Sequence, residues 1–284
     1  MNVVKLSFDY TTVRRYVFGL MSDIHLDSPG HDKARFTADM DTLASEGASI
    51  LFNGDIFDAI MPGDQKRYTR SGDTMTQDAQ VNEMVDYATS RLKPYADYIA
   101  YLGMGNHEVS VVKYNNVDPL AMLQRELNKL RSSKLPPIQR GGYVGFINLH
   151  FHRKGEGVKR HLIYRDHGKG GNSPVTKGTI GLNRLYGTYD ADTIWLGHSH
   201  TSIVDNKSQW AIGVSTQNKI YKKNKVGIIT PGYQRCFEEK EYGDDSFYRL
   251  DFPEEKFYSP TGVGYGRLEI QLTRNDIVAR HEIR

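Results

Sequence analysis

The sequence has one cysteine, Cys236, among 284 residues. That excludes an intrachain disulfide and a cysteine-based zinc site. No apolar run approaches the ~20 residues of a membrane span. The first residues, MNVVKLSFDYTTVRR, lack the apolar core and small-residue end of a secretory signal. These absences lead to the expectation of a soluble, cytoplasmic protein with no membrane partner. Charge of either sign is scarce in excess: 37 basic and 34 acidic residues leave a net charge of +3. That is too mild to imply a nucleic-acid partner by itself. Repeats, low-complexity tracts and long linkers are absent too. A single domain spanning 1–284 is expected, long enough to be stable without staples.

What is present is a pattern of short apolar runs alternating with helical spacing. Val17–Leu20, Ser49–Phe52 and Tyr98–Leu102 read as strands. Helices are expected at about 31–46, 77–92 and 117–131, the last stopped by Pro136-Pro137. This is the pattern of a parallel sheet with crossover helices. The second half reads as strands at Val144–Phe151, Leu162–Arg165, Thr193–Leu196, Ile203–Val214 and Val226–Thr230, with a strand pair at the tail. Residues 233–262, rich in Tyr, Glu, Asp and Lys, read as an irregular excursion or lid.

Polar groups able to bind metal follow the apolar runs, where open α/β sheets place their ligands. Asp23-Ile24-His25 follows the first, Gly54-Asp55 with Asp58 the second, and Gly105-Asn106-His107-Glu108 the third. Asp166-His167-Gly168 and Gly197-His198-Ser199-His200 come later. In extended chain, residues i and i+2 point to one side. Asp23 with His25, and His198 with His200, are therefore expected to aim in pairs into one cleft. The glycines before Asp55, Asn106 and His198 relieve crowding where backbone nears the site. Carboxylates, imidazoles and one amide suit Mn, Fe or Zn. They are too many for one tetrahedral ion and suit two ions sharing a carboxylate, as in two-metal hydrolases. His150 and His152, alternating on another strand, are the alternative to His167.

This set of motifs resembles that of the calcineurin-like metallophosphoesterases, in their stand-alone bacterial or phage form, from about residue 17 to 233. Thr230-Pro231-Gly232 is similar to a turn these proteins often carry. The resemblance implies an α/β fold, a four-layer α/β/β/α sandwich with the site at the edge of two mixed sheets. It implies two divalent ions, most simply Mn2+ with Fe or Zn as alternatives. Asp23, His25, Asp55 and His200 would hold one; Asp55, Asn106, His167 and His198 the other, with Asp55 bridging. Water activated between the ions would attack phosphorus, His107 would protonate the leaving group, and Asp58 would orient His107. The other reading of Asp58 is a turn residue.

The implied activity is phosphoester hydrolysis, with phosphodiesters (nucleic acid or nucleotides) as the expected substrate. A phosphomonoesterase on nucleotides or phosphoproteins and a non-catalytic metal-binding scaffold are the alternatives. Ala59 and Met104 stand where the family's phosphoprotein phosphatases carry phosphate-clamping arginines. The DNA-repair exonucleases carry histidine at Asp58, and the lipid-precursor pyrophosphatases arginine at His107. Lys66, Arg67 and Arg70 are candidate substrate contacts, or a solvated loop. Arg153-Lys154 with Lys159-Arg160, and Lys222-Lys223-Lys225, either contact nucleic-acid backbone or are simply solvated.

Overall fold

The computed structural model describes residues 1–10, 14–60, 80–153, 155, 157–169, 176, 178–213, 219–235, 261–273 and 276–284. In chain order the strands are β1 (Asn2–Asp9), β2 (Arg15–Met21), β3 (Ser49–Asn53), β4 (Ile99–Gly103), β5 (Gln139–Arg140) and β6 (Val144–His152). They continue with β7 (Lys159–Asp166), β8 (Thr193–Leu196), β9 (Ile203–Gly213), β10 (Lys219–Ile229), β11 (Gly266–Leu272) and β12 (Ile277–Ile283). The helices are α1 (Lys33–Ser45), α2 (Gln80–Leu92), α3 (Asn106–Asn115), α4 (Pro119–Leu130) and α5 (Thr179–Thr188).

The strands form two mixed six-stranded sheets. The first has the order β1-β6-β7-β8-β10-β9 and the second β12-β11-β2-β3-β4-β5. Side chains on each strand alternate between two apolar cores. Val17 and Met21 of β2 pack with α1, α2 and α4 residues such as Phe36, Met84 and Leu123. Phe18 and Leu20 face the other way and meet Leu149, Ile163 and Trp195 of the first sheet. Beyond that sheet, Tyr164, Ile194 and Leu196 pack with Leu182 and Tyr186 of α5. The order is therefore helices, sheet, sheet, helix.

Local chemistry sets the helix starts. The Asp32 carboxylate accepts the Arg35 N–H at 2.9 Å, and Asp118 caps α4 at Ala121 before an initial proline. Four elements were not anticipated, among them the two-residue β5. β1 carries the strand alternation, with Val4 and Leu6 buried against exposed Val3 and Lys5. α3 buries only Glu108 and Val111, too little for a helical signature. α5 is likewise short.

β2, β3 and β4 run parallel, and so do β7, β8 and β10. The carboxyl ends of both triplets meet at one edge of the sandwich. Of the expected lid, residues 236–260 lie outside the described residues. Tyr233 is no lid residue. It is fully buried, donates to Asp39 Oδ2 at 2.9 Å, and its backbone N–H bonds the Asp23 carbonyl at 2.9 Å.

Candidate metal centre

The polar segments after β2, β3, β4, β7 and β8 converge at that edge. The Asp23 N–H donates to the Gly54 carbonyl at 3.0 Å, and the Ile24 and His25 N–H groups share the Asp55 carbonyl at 2.7 and 3.0 Å. A Cβ on Gly54 would lie 2.4 Å from the Gly105 nitrogen, and one on Gly105 2.1 Å from Asp55 Oδ1. Only glycine lets the second and third segments touch.

The backbone differs from the extended form expected. Asp23, His25, Asp55, His198 and His200 have φ of 55°, 48°, 49°, 63° and 49°. The left-handed region disfavours such residues, at about 1–3 kcal/mol each. Asp23 and His25 share a cleft because both turn, not because an extended chain alternates.

Two buried carboxylates hold this backbone. Glu108 Oε1 accepts the Ile56 and Phe57 N–H groups at 2.7 and 3.1 Å, and its Oε2 accepts those of Gly105 and Asp55 at 2.8 and 3.0 Å. Burial and the Asp55 charge push Glu108 up to about 7. Asp27 accepts the N–H groups of Asp58 and Ala59 at 2.6 and 2.9 Å. Neither role was anticipated. Glu108 stands in the third motif but reads there as a bystander; three of its four partners are 51–53 positions away.

Each key side chain has one atom tied down and another aimed inward. Asp23 Oδ2 accepts the His198 N–H at 2.9 Å; Oδ1 lies 3.4 Å from His200 Nε2 and 3.8 Å from His167 Nε2. Asp55 Oδ1 accepts the His107 N–H at 2.9 Å; Oδ2 lies 3.0 Å from His167 Nε2. His167 Nδ1–H donates to the Asn53 carbonyl at 2.7 Å, leaving Nε2 facing Asn106 Oδ1 at 3.1 Å. Asn53 itself is held by the buried Arg165, whose Nη1 donates to its Oδ1 at 2.8 Å. His25 Nδ1 bonds Asp58 Oδ1 at 3.0 Å.

The structure brings Asp23, His25, Asp55, Asn106, His107, Asp58, His167, His198 and His200 together. Donor atoms of Asp23, Asp55, His167 and His198 lie within 4.8 Å of one another, as do those of Asp23, His25 and His200, and of His25, Asp55 and His107. Asp23, like Asp55, therefore belongs to more than one group. His150 and His152 lie elsewhere: β6 runs antiparallel to β7, which carries them to the opposite edge. Lys66, Arg67 and Arg70 lie outside the described residues.

Asp58 divides its contacts differently from the expectation. His107 Nδ1–H donates to the Asp58 carbonyl, while the Asp58 carboxylate bonds His25 and stands 3.7 Å from His107 Nδ1. His107 Nε2 is thereby turned toward Asp55 Oδ2, at 3.9 Å.

Burial opposes charge throughout, and opposite charges overcome it at five residues, among them Asp58, which His25 lowers. His200 and His167 hold Asp23 below the usual carboxylate range, and His167 with His107 does so for Asp55. In return burial is outweighed at His167 by Asp55 and Asp23, which raise it to about 10. At His25 burial is outweighed by Asp58, which raises it to about 9. Burial keeps His107 and His198 below the ordinary imidazole value.

The donor set fits a divalent cation. Asp23 Oδ1 and His25 Nε2 are buried with no hydrogen-bond partner, which a native fold rarely leaves without an ion or water. His25 and His167 each give their other ring nitrogen to a carboxylate or carbonyl, as metal-ligating histidines do.

Two stacked mixed sheets with such a cluster at their joined carboxyl ends define a metal-binding α/β protein. The chain belongs to the calcineurin-like phosphoesterase family, whose sequence model matches residues 16–202. The match spans all seven candidate ligands. No protein of curated function matches the chain in sequence. Similar solved structures include a predicted phosphoesterase of Streptococcus pneumoniae, 10% identical with a TM-score of 0.33, covering 95% of this chain and 99% of that one. A metallophosphoesterase from Sphaerobacter thermophilus is 11% identical with a TM-score of 0.35, covering 95% and 90%. GAP50 of Plasmodium, an inner-membrane-complex anchor, is 10% identical with a TM-score of 0.43, covering 94% and 84%. Among the described residues no helix is long and apolar enough to cross a membrane.

Proposed function

We propose that this chain is a binuclear metal-dependent phosphodiesterase acting on nucleic acid or nucleotides, in a cytoplasmic setting. The observation that carries the reading is the pair of buried, unpartnered atoms, Asp23 Oδ1 and His25 Nε2, inside a cluster of further inward-facing donors. In this reading Asp23, His25, Asp55 and His200 hold one cation. Asp55, Asn106, His167 and His198 hold the other, and Asp55 is shared. Two divalent cations, Mn2+ first and Fe or Zn as alternatives, would supply positive charge to the phosphoryl oxygens and make water acidic near neutrality.

The chain's own residues do the rest. His107 is fixed through Nδ1, so Nε2 is the atom placed to give a proton to the leaving oxygen. Asp58 aims both His25 and His107, one through its carboxylate and the other through its carbonyl. Glu108 and Asp27 keep the intervening backbone rigid. Ala59 and Met104 offer no guanidinium for a doubly charged monoester, which favours a singly charged diester.

Paired assays of bis-p-nitrophenyl and mono-p-nitrophenyl phosphate with Mn2+ test the reading, with Asp55→Ala and His107→Ala as controls. Diester turnover that Asp55→Ala reduces to background and His107→Ala lowers is expected. Turnover of the monoester alone moves the assignment to a phosphomonoesterase. No turnover of either, with little metal bound, leaves a scaffold.

A further inference from the structure

Only Val226–Ile229 of β10 pair with β8. Among the described residues, Lys219–Lys225 pair with β9 alone, so a two-stranded ribbon extends past the end of β8. The register sets Trp210 opposite Lys222 and Ile212 opposite Ile220, which puts all four on one face. Trp210 is 72% exposed, Ile220 69% and Ile212 63%. An open apolar patch of this kind on a globular protein marks a binding surface. Lys222 Nζ lies 5.4 Å from the Trp210 ring centroid, presenting cation and indole together.

The basic cluster seen in the sequence divides its work here. Lys225 is buried and donates to the Tyr186 and Tyr189 carbonyls at the end of α5, at 3.1 and 2.8 Å. Lys223 pairs with Asp190. Lys222 serves the Trp210 face, and Lys207 and Lys219 are exposed along the ribbon. Residues 206–213 and 219–224 contain no aspartate or glutamate.

We propose that this ribbon is a docking surface for single-stranded nucleic acid; the inference deepens the phosphodiesterase reading by naming its substrate class. An indole stacks on any base whose faces are open, and Lys222 beside it, the one lysine on that face among the described residues, neutralises a phosphate. A duplex keeps those faces covered. The overhanging part stands at the edge opposite the metal-ligand cluster, and only the ribbon's base, the chain leaving His200 and the chain entering Thr230, adjoins the cluster, so a strand bound at Trp210 would have to run the ribbon's length to reach it. Lys222 is seven residues before Ile229, about 23 Å at ~3.3 Å per residue. At ~3.4 Å or more per nucleotide, no more than about seven nucleotides cover it. A bilayer suits the ribbon less, because Asn206, Ser208 and Asn224 are exposed on the same face as Trp210.

The chain's two tryptophans make the test direct. Trp195 is fully buried and Trp210 is not, so a ligand stacking on the ribbon quenches Trp210 emission. The full-length His107→Ala protein, which suppresses turnover, is titrated with a thymidine oligonucleotide of about 12 residues. Quenching is expected, with affinity that falls as salt rises. Trp210→Ala should weaken binding by fluorescence anisotropy about fivefold to 100-fold, the range of base–aromatic stacking. Lys222→Ala should reduce the log–log salt slope by about 0.7. Trp210→Ala in the otherwise natural chain should hydrolyse bis-p-nitrophenyl phosphate at the unaltered rate. Equal binding by Trp210→Ala overturns the proposal, as does a blue shift on anionic vesicles without any response to the oligonucleotide, or a dimer that Trp210→Ala splits. If the oligonucleotide binds through Trp210 but no diester is cleaved, the phosphodiesterase reading falls while the ribbon's ligand stands. If diesters are cleaved and Trp210→Ala binds normally, only the ribbon proposal falls.

Discussion

The two sheets contribute unlike halves to the cluster. The ends of β2 and β3 supply every carboxylate in it, Asp23, Asp55 and Asp58, while the ends of β7 and β8 supply only imidazoles, His167, His198 and His200. The lowered pKa values of Asp23 and Asp55 trace largely to histidines of the other sheet, against burial. Neither half balances its own charge, and packing the sheets together assembles the site. Backbone strain is shared, since left-handed residues occur in both halves. The acidic half carries the extra braces, Glu108 and Asp27, because its chain must turn twice between Gly54 and Ala59.

This division can be broken at graded points. The largest effect is expected from Asp55→Ala, which removes a shared carboxylate and should reduce diester hydrolysis to background. His198→Ala, on the imidazole half, should leave the cation held by Asp23, His25, Asp55 and His200 in place; equal metal loss in the two variants would contradict the asymmetry. Next is His107→Ala, expected to lower kcat about 10²–10⁴-fold with metal content unchanged, as read by elemental analysis beside steady-state kinetics.

Asp58→Asn should weaken metal affinity about 10–100-fold through His25, as loss of a ligand's hydrogen-bond partner does. Saturating Mn2+ should then restore most of the turnover. If Asp58 acts through His107 alone, kcat falls at every Mn2+ concentration and affinity does not move.

The smallest effect is on stability, where the sheets meet away from the cluster. Thr193 Oγ1 lies 2.8 Å from His161 Nε2 and 2.7 Å from His281 Nε2, joining β7 and β8 to β12. Burial holds His161 down at about 4, and burial with the His161 charge holds His281 at about 3. Both are neutral in the fold, so their contribution is complete above the unfolded value of ~6.5 and is lost as pH falls from there through about 4. The slope approaches about 1.4 kcal/mol per pH unit for each group. Urea midpoints at pH 7.5, 6.5 and 5.0 should decline over the last step; a flat series contradicts the arrangement.

Much of this was legible in the sequence because each metal-ligand candidate ends an apolar run, and parallel strands gather their ends. Val17–Leu20, Ser49–Phe52 and Thr193–Leu196 mark those strands within a residue or two. β1 was legible in principle through Val4 and Leu6 but was overlooked among charged neighbours. The left-handed turns at Asp23 and His198 were not legible, since Asp and His enter that region more often than most residues but still in only a small minority of cases. Contacts such as Arg165 with Asn53, 112 positions apart, leave no local signal. The Lys222–Lys225 cluster was visible as charge, while its split between an exposed indole, an ion pair and a helix end needed the register of β9 and β10.

The account rests most directly on the number of ions the chain holds. Elemental analysis of Mn2+-loaded protein after desalting, beside Asp55→Ala, measures it. Two ions per chain and close to none in the variant are expected for a shared carboxylate. Well under one ion in the unaltered protein, or two retained by Asp55→Ala, would contradict the binuclear assignment.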